Sequence, residues 1–195
     1  MTKNSSAYRI SILALFCAII IIQNFVPLFG YIPVGPLDLT TIHVTVIVAA
    51  LVLGPRDGTI VGTVWGLITF VRAFVAPTSP LAPLVFTNPV ISILPRALIG
   101  LFAGLIFNWL RTGRLPKPVS MLIASLVGAL TNTLLVLGLI YLFYRTPQVA
   151  AAYQTNISGL MKVLLVVVAT NGIPEAILAG IVGPLISLPL QRFRR

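Results

Sequence analysis

An all-α, polytopic membrane fold is predicted by three observations on this 195-residue chain. Apolar residues make up 58% of it and charged residues only 8%. The mean hydropathy is +1.07. Apolar runs recur from Ile10 to Leu190, interrupted briefly at Pro, Gly and charge. A soluble domain could not hydrate its surface with so few charges, so lipid is the solvent for most of the chain.

A helix crosses about 30 Å of hydrocarbon with roughly 20 apolar residues, and with fewer where the bilayer thins. Breaks at Pro, Gly and charge delimit six such segments: Ile10–Val26, Leu39–Leu53, Gly58–Val75, Pro89–Leu110, Val119–Tyr144 and Ser158–Leu190. The second is short. The sixth is long and is expected to be broken by Pro174, Pro184 and Pro189. The run from Val163 to Val168 has no apolar–polar alternation, which excludes the strands of a closed barrel. Residues 1–195 read as one six-helix domain.

Basic residues set its direction. A cytoplasmic N-terminus places Lys3, Arg9, Arg56, Arg111, Arg114, Lys117, Arg192, Arg194 and Arg195 inside. Arg72, Arg96, Arg145 and Lys162 then fall in the outer half. The short basic loops 54–58 and 111–117 carry the bias that orients inserted helices, so both termini are expected in the cytoplasm. The net charge of +10 follows from this topology. It forms no clustered basic face, so nucleic acid is not an expected partner.

Other classes are excluded by what is missing. The first apolar run ends at Phe25-Val26-Pro27 without a small-residue cleavage site, so no cleaved signal is expected. The single cysteine, Cys17, rules out an intramolecular disulfide. There is no P-loop, no His/Cys metal spacing and no Ser-His-Asp set, so neither an enzyme nor a resident cofactor is expected.

Polar groups concentrate in the outer half. The loops 27–38 and 76–88 are rich in Pro, Gly and aromatics, which suits connectors that seal helix ends or a lid over a pocket involving Tyr31, Pro33 and Pro77–Pro83. The third outer loop, Arg145–Ile157, is polar and can form a short helical turn. Arg96 falls about 10 Å inside the fourth segment, just after Pro95, and Asn132 about 18 Å inside the fifth. Asn171 and Glu175 are four apart and share a helix face, as do Trp65 and Arg72 at a spacing of seven.

An ionisable group in lipid costs several kcal/mol unless it meets a cavity or a partner. Arg96 is therefore either a structural partner of Glu175 or an anchor for a ligand carboxylate, which a guanidinium suits better than any other side chain. Asn132 and Asn171 either join helices or bind ligand. Arg72 and Lys162 are expected to snorkel to the outer interface, with attraction of an anion as the alternative. His43, the only histidine, is expected as a satisfied interfacial residue. Ala14 and Ala18 form a small-xxx-small pair that lets another helix approach closely.

Assembled, these features resemble the substrate-binding S component of an energy-coupling factor vitamin transporter, over essentially the whole chain. The specific segments are Asn88-Pro89-Val90-Ile91-Ser92-Ile93-Leu94-Pro95-Arg96, Gly128-Ala129-Leu130-Thr131-Asn132-Thr133 and Asn171-Gly172-Ile173-Pro174-Glu175. They are similar to the branch that handles pantothenate or the hydroxymethylpyrimidine precursor of thiamine. The resemblance implies an outward pocket formed from outer loops and helix ends, with Arg96, Asn132, Asn171, Trp65, Asn88, Glu175 and His43 as candidate substrate contacts. It also implies toppling in the membrane onto a shared T component through the Ala14/Ala18 face, with two ATPase subunits supplying the energy. Pantothenate would reward Arg96, Asn132 and Asn171. A neutral aminopyrimidine would prefer Trp65 with Asn132 or Glu175. The alternatives are a stand-alone secondary transporter, for which no two-half repeat of broken helices is visible, and a membrane assembly protein without transport.

Overall fold

The computed structural model describes residues 6–26, 29–32, 38–113 and 115–193, with the side chains of Ser6 and Phe193 excepted. Expectations on Lys3, Pro33, Arg114, Arg194 and Arg195 fall outside these. Helix α1 (Ser6–Phe25) leads into a small antiparallel pair, β1 (Tyr31–Ile32) and β2 (Leu39–Thr40), in which Tyr31 pairs with Thr40 and Ile32 with Leu39. Then come α2 (Ile42–Leu53), α3 (Pro55–Val75), α4 (Ala82–Val85), α5 (Pro89–Ser92), α6 (Leu94–Thr112) and α7 (Lys117–Phe143). The chain ends with α8 (Pro147–Ala152), α9 (Leu160–Val167), a π-helical segment Val168–Gly172, and α10 (Ile173–Phe193).

Five stretches among the described residues are long and apolar enough to cross a membrane: Ala7–Phe25, Pro55–Val75, Pro89–Thr112, Lys117–Phe143 and Leu160–Arg192. The second expected span is different. Helix α2 has 12 residues, about 18 Å of rise, and Leu39 and Thr40 belong to β2 rather than to the helix. It is nearly all buried, with Val46, Ile47, Ala49 and Ala50 wholly enclosed. A helix that is apolar all round, without a polar face, is what a central position requires. Around it packs the main core, with Ile20 of α1, Val61 and Trp65 of α3, Ile99 of α6 and Met121 of α7.

Three boundaries need physical correction. The expected inner loop 54–58 collapses to Gly54 alone, whose φ of +108° is strained for any side chain. Pro55 then starts α3, where its missing N–H costs nothing. The fourth span is split at Ile93 into α5 and α6. The sixth is interrupted by the π segment just before Pro174, whereas Pro184 and Pro189 sit inside a continuous α10. Lipid-exposed helices tolerate such prolines because neighbours satisfy the freed carbonyls. The third outer loop does contain a helical turn, α8.

The tightest packing is between α3 and α6. A Cβ on Gly62 would lie 2.1 Å from the Arg96 carbonyl oxygen, and one on Gly66 2.6 Å from Ile93 Cα. From the other side, Gly100 would meet the Gly58 carbonyl carbon at 2.1 Å and Gly104 would meet Pro55 Cα at 2.5 Å. Gly58, Gly62 and Gly66 form one stripe at four-residue spacing: Gly62 and Gly66 admit the α6 backbone, while a Cβ on Gly58 would meet Ala50 Cβ of α2 at 2.4 Å. At the opposite end from the hairpin, Arg9 of α1 grips the buried Asp57 in the first turn of α3. Nε donates to Oδ2 at 2.7 Å and Nη2 donates to Oδ1. A paired carboxylate at a helix N-terminus also suits the helix dipole.

Replacing Gly62 by Ala should destabilise the protein by about 1–3 kcal/mol, because a methyl group there has backbone on the far side and nowhere to go. Gly138 is the control: nothing lies within 4 Å of its Cβ position, so Gly138→Ala should be neutral or mildly stabilising. Unfolding midpoints in detergent measure both. Equal midpoints for the two variants would contradict the close approach of α3 and α6.

Candidate functional site

Arg96 owes its position to the proline that precedes it. Pro95 has no N–H, so the carbonyl of Ile91, four residues earlier, lacks its helical donor. The chain breaks at Ile93, and Arg96 Nη1 folds back to donate to that carbonyl at 2.7 Å. The expected position deep in one continuous helix is therefore corrected to the first turn of α6. The side chain is only 5% exposed. Its guanidinium carbon lies 5.3 Å from the Trp65 ring centroid and 4.8 Å from that of Phe86, within cation–π range. Its Nε has no partner.

Arg96 faces a cavity of about 760 Å³, open mouth included, at the hairpin end of the bundle. Trp65, Asn132, Asn171 and Glu175 line the same space, so five of the expected site residues are brought together. Trp65 is fully buried, and its Nε1 donates to Tyr31 Oη at 3.0 Å. Tyr31 in turn donates to Asn24 Oδ1 at 3.0 Å, near the end of α1. Asn132 projects from α7 with its Oδ1 buried and unpartnered. Asn171 sits on the π segment, where Thr170 Oγ1 donates to its Oδ1 at 3.0 Å. Single π turns occur frequently at functional sites because the inserted residue re-aims the side chains around it. Gly172, next in the chain, leaves room for Thr133, whose Cγ2 would be 2.7 Å from any Cβ there.

Glu175 is not an ion-pair partner of Arg96. Both line the cavity, yet they do not approach within 4 Å. Glu175 Oε1 instead accepts the backbone N–H of Thr40 at 2.6 Å, which ties β2 to α10. His43 lies behind this contact, wholly buried, and its Nε2 donates to the Glu175 carbonyl at 3.1 Å. The expected interfacial histidine is thus a core residue that supports the site without lining it. Asn88 does not line it either. Its Oδ1 accepts from the N–H of Val90 at 2.9 Å and caps α5.

Several lining residues were not singled out as contacts. Phe86, Thr40 and Thr133 carried no distinctive spacing. Arg72 did share a face with Trp65, and it turns into the mouth of the cavity, half-buried, rather than snorkelling outward. Asp38 stands at the same mouth. Burial pushes its carboxyl above the ordinary value, against the opposing effects of Thr78 and Arg72. Lys162 is exposed, as expected. Ala14 and Ala18 are exposed on α1, two residues off its buried stripe of Phe16, Ile20 and Asn24, and hence on the opposite face.

The chain matches the family described as "ECF transporter, substrate-specific component" over residues 8–187. It is 34% identical to a pantothenate transporter, PanT, of Leuconostoc mesenteroides, over 93% of this chain and 90% of that protein. It is also 32% identical to a pantothenic acid transporter, PanT, of Lactococcus lactis, over 98% of both. Family and relatives alike are transporters and not enzymes. With a family match across nearly the whole chain, and a cavity to which segments 88–96, 128–133 and 171–175 each contribute lining residues, the chain belongs to the substrate-specific components of ECF transporters.

Proposed function

We propose that the protein captures pantothenate at its outer surface and is the substrate-binding subunit of an ATP-driven importer. The observation that carries this reading is Arg96: a buried cation, framed by Trp65 and Phe86, facing a cavity without a carboxylate within 4 Å. A charge held in this way is costly unless an anion joins it. The carboxylate of pantothenate fills that role, and the fork geometry of guanidinium accepts it through two parallel hydrogen bonds. The hydroxyls and amide of the ligand face Asn132, Asn171 and Glu175. The names of the two relatives agree with this ligand.

In this reading α2 is the second of six spans, its short length enclosed by neighbouring helices, and both termini lie in the cytoplasm. The hairpin and the loop before α4 close over bound ligand. The loaded protein topples and presents the face of α1 bearing Ala14 and Ala18 to the T component, which two ATPase subunits drive. Small residues at that face permit close helix approach. A neutral aminopyrimidine is the second reading, favoured by the juxtaposition of Trp65 with the Glu175 carboxylate.

Titration of the purified protein separates these ligands. Arg96→Met should weaken pantothenate binding about ten- to a hundredfold, the loss of a charge-assisted hydrogen bond worth about 1.5–3 kcal/mol. Arg96→Lys keeps charge without the fork and should fall between. Undiminished affinity in a folded Arg96→Met protein, together with tight aminopyrimidine binding, would replace pantothenate by the second ligand.

Docking is tested independently. Ala14→Trp and Ala18→Trp should abolish uptake into cells while leaving ligand affinity within about twofold, since neither residue lines the cavity. Normal uptake by both variants would remove the docking role from this face.

A further inference from the structure

The cavity is lined by a second cation besides Arg96. Arg72 lies two turns along α3 from Trp65, at the mouth of the cavity. Charged side chains near the end of a span ordinarily extend to water. This one is turned inward and tethered: its Nη1 donates to the backbone carbonyl of Asn24 in the last turn of α1. The guanidinium carbon is 5.4 Å from the Phe25 ring centroid and 5.7 Å from that of Tyr31, and Nε is buried with no partner. Asp38 faces the same mouth within electrostatic reach of Arg72, yet the two form no ion pair within 4 Å. A cation is thus held at the entrance of a low-dielectric cleft, short of neutralisation by its neighbouring carboxylate.

We propose that Arg72 is the capture cation of this site, drawing the ligand's anionic group to the mouth and setting its rate of entry, while Asp38 opposes the same anion and moderates that rate. The inference rests on the reading that the ligand is a carboxylate, and it divides labour between two arginines. A charge at the rim of a cleft acts on association and its salt dependence. A buried, hydrogen-bonded charge acts on dissociation. Arg72 therefore governs arrival and Arg96 residence. Thr78, which acts with Arg72 to lower the Asp38 carboxyl, lines the same rim.

Stopped-flow fluorescence on the full-length protein in an uncharged detergent reads both rates for pantothenate. Trp65 lies in the cavity wall and reports occupancy, whereas Trp109, 72% exposed, supplies a constant background. Ionic strengths of about 0.01 M and 0.15 M change the screening length from about 30 to 8 Å. For Arg72→Met, association should slow about three- to tenfold at low salt and lose most of its salt dependence, with dissociation changed less than about twofold. Arg72→Lys keeps the charge and should keep the association rate within about twofold. Asp38→Asn preserves size and should speed association about two- to fivefold. That opposite sign is the decisive arm, because residues that only brace the mouth would slow entry when either is changed. It also stands if Arg72→Met fails to fold. Unchanged association in Arg72→Met, or slowed association in Asp38→Asn, overturns the proposal. If the parent prefers the carboxylate over its neutral alcohol analogue while those rates contradict the proposal, the capture role alone fails. If the parent binds the two analogues equally, the carboxylate reading fails and the capture role with it.

Discussion

The site depends on two helix backbones touching. Gly58, Gly62 and Gly66 on α3 meet Gly100 and the Ile93–Ala97 backbone at the α6 side, and Gly104 of α6 meets Pro55. Trp65 lies on the same face of α3 as this stripe, so the approach that packs Gly62 against the Arg96 carbonyl also places the indole beside the guanidinium. Pro95 completes the arrangement by freeing the Ile91 carbonyl that steers Arg96. Lipid offers no hydrophobic reward for bringing two apolar helices together, so this contact relies on close van der Waals packing. The geometry of the cavity and the stability of the fold draw on one interface.

Polar groups elsewhere are spent on fastening α1. This helix carries exposed Ile10, Leu15, Ile21 and Ile22 and packs less intimately than its neighbours. Polar contacts hold it near both ends: the Arg9–Asp57 pair at one, and at the other Asn24, which meets Tyr31 and Arg72. The second fastening is made of cavity-lining residues, so the pocket and the helix bearing Ala14 and Ala18 share side chains. The hairpin is tied in the same way, through Thr40 to Glu175 and through Tyr31 to Trp65. Cavity-lining residues and the segments proposed to move are therefore in direct contact.

Fold class was legible because hydropathy and helix-length arithmetic report on the solvent, and that signal extends along the whole chain. The cavity residues Arg96, Asn132, Asn171, Trp65 and Glu175 were legible because a polar or amphipathic group inside an apolar run needs a reason. Asn88 and His43 show the limit of that argument, since a helix cap and a core hydrogen bond are reasons of another kind. The break near Pro174 was legible, because a proline supplies no N–H to the carbonyl four residues earlier, but its form, a π turn at Val168–Gly172, was not. Arg72 was misplaced because its partner, the Asn24 carbonyl, is 48 residues away. The glycine stripe shares its four-residue spacing with Ala14 and Ala18, where the same small-residue motif faces outward, so spacing alone does not tell a buried contact from an exposed one.

The central claim is that Arg96 receives a carboxylate. An experimental structure of the protein with pantothenate bound tests it most directly. Both carboxylate oxygens should lie at about 2.7–2.9 Å from the Arg96 guanidinium nitrogens, with Nε satisfied. A carboxylate held elsewhere, with Arg96 still donating only to the Ile91 carbonyl, would contradict it.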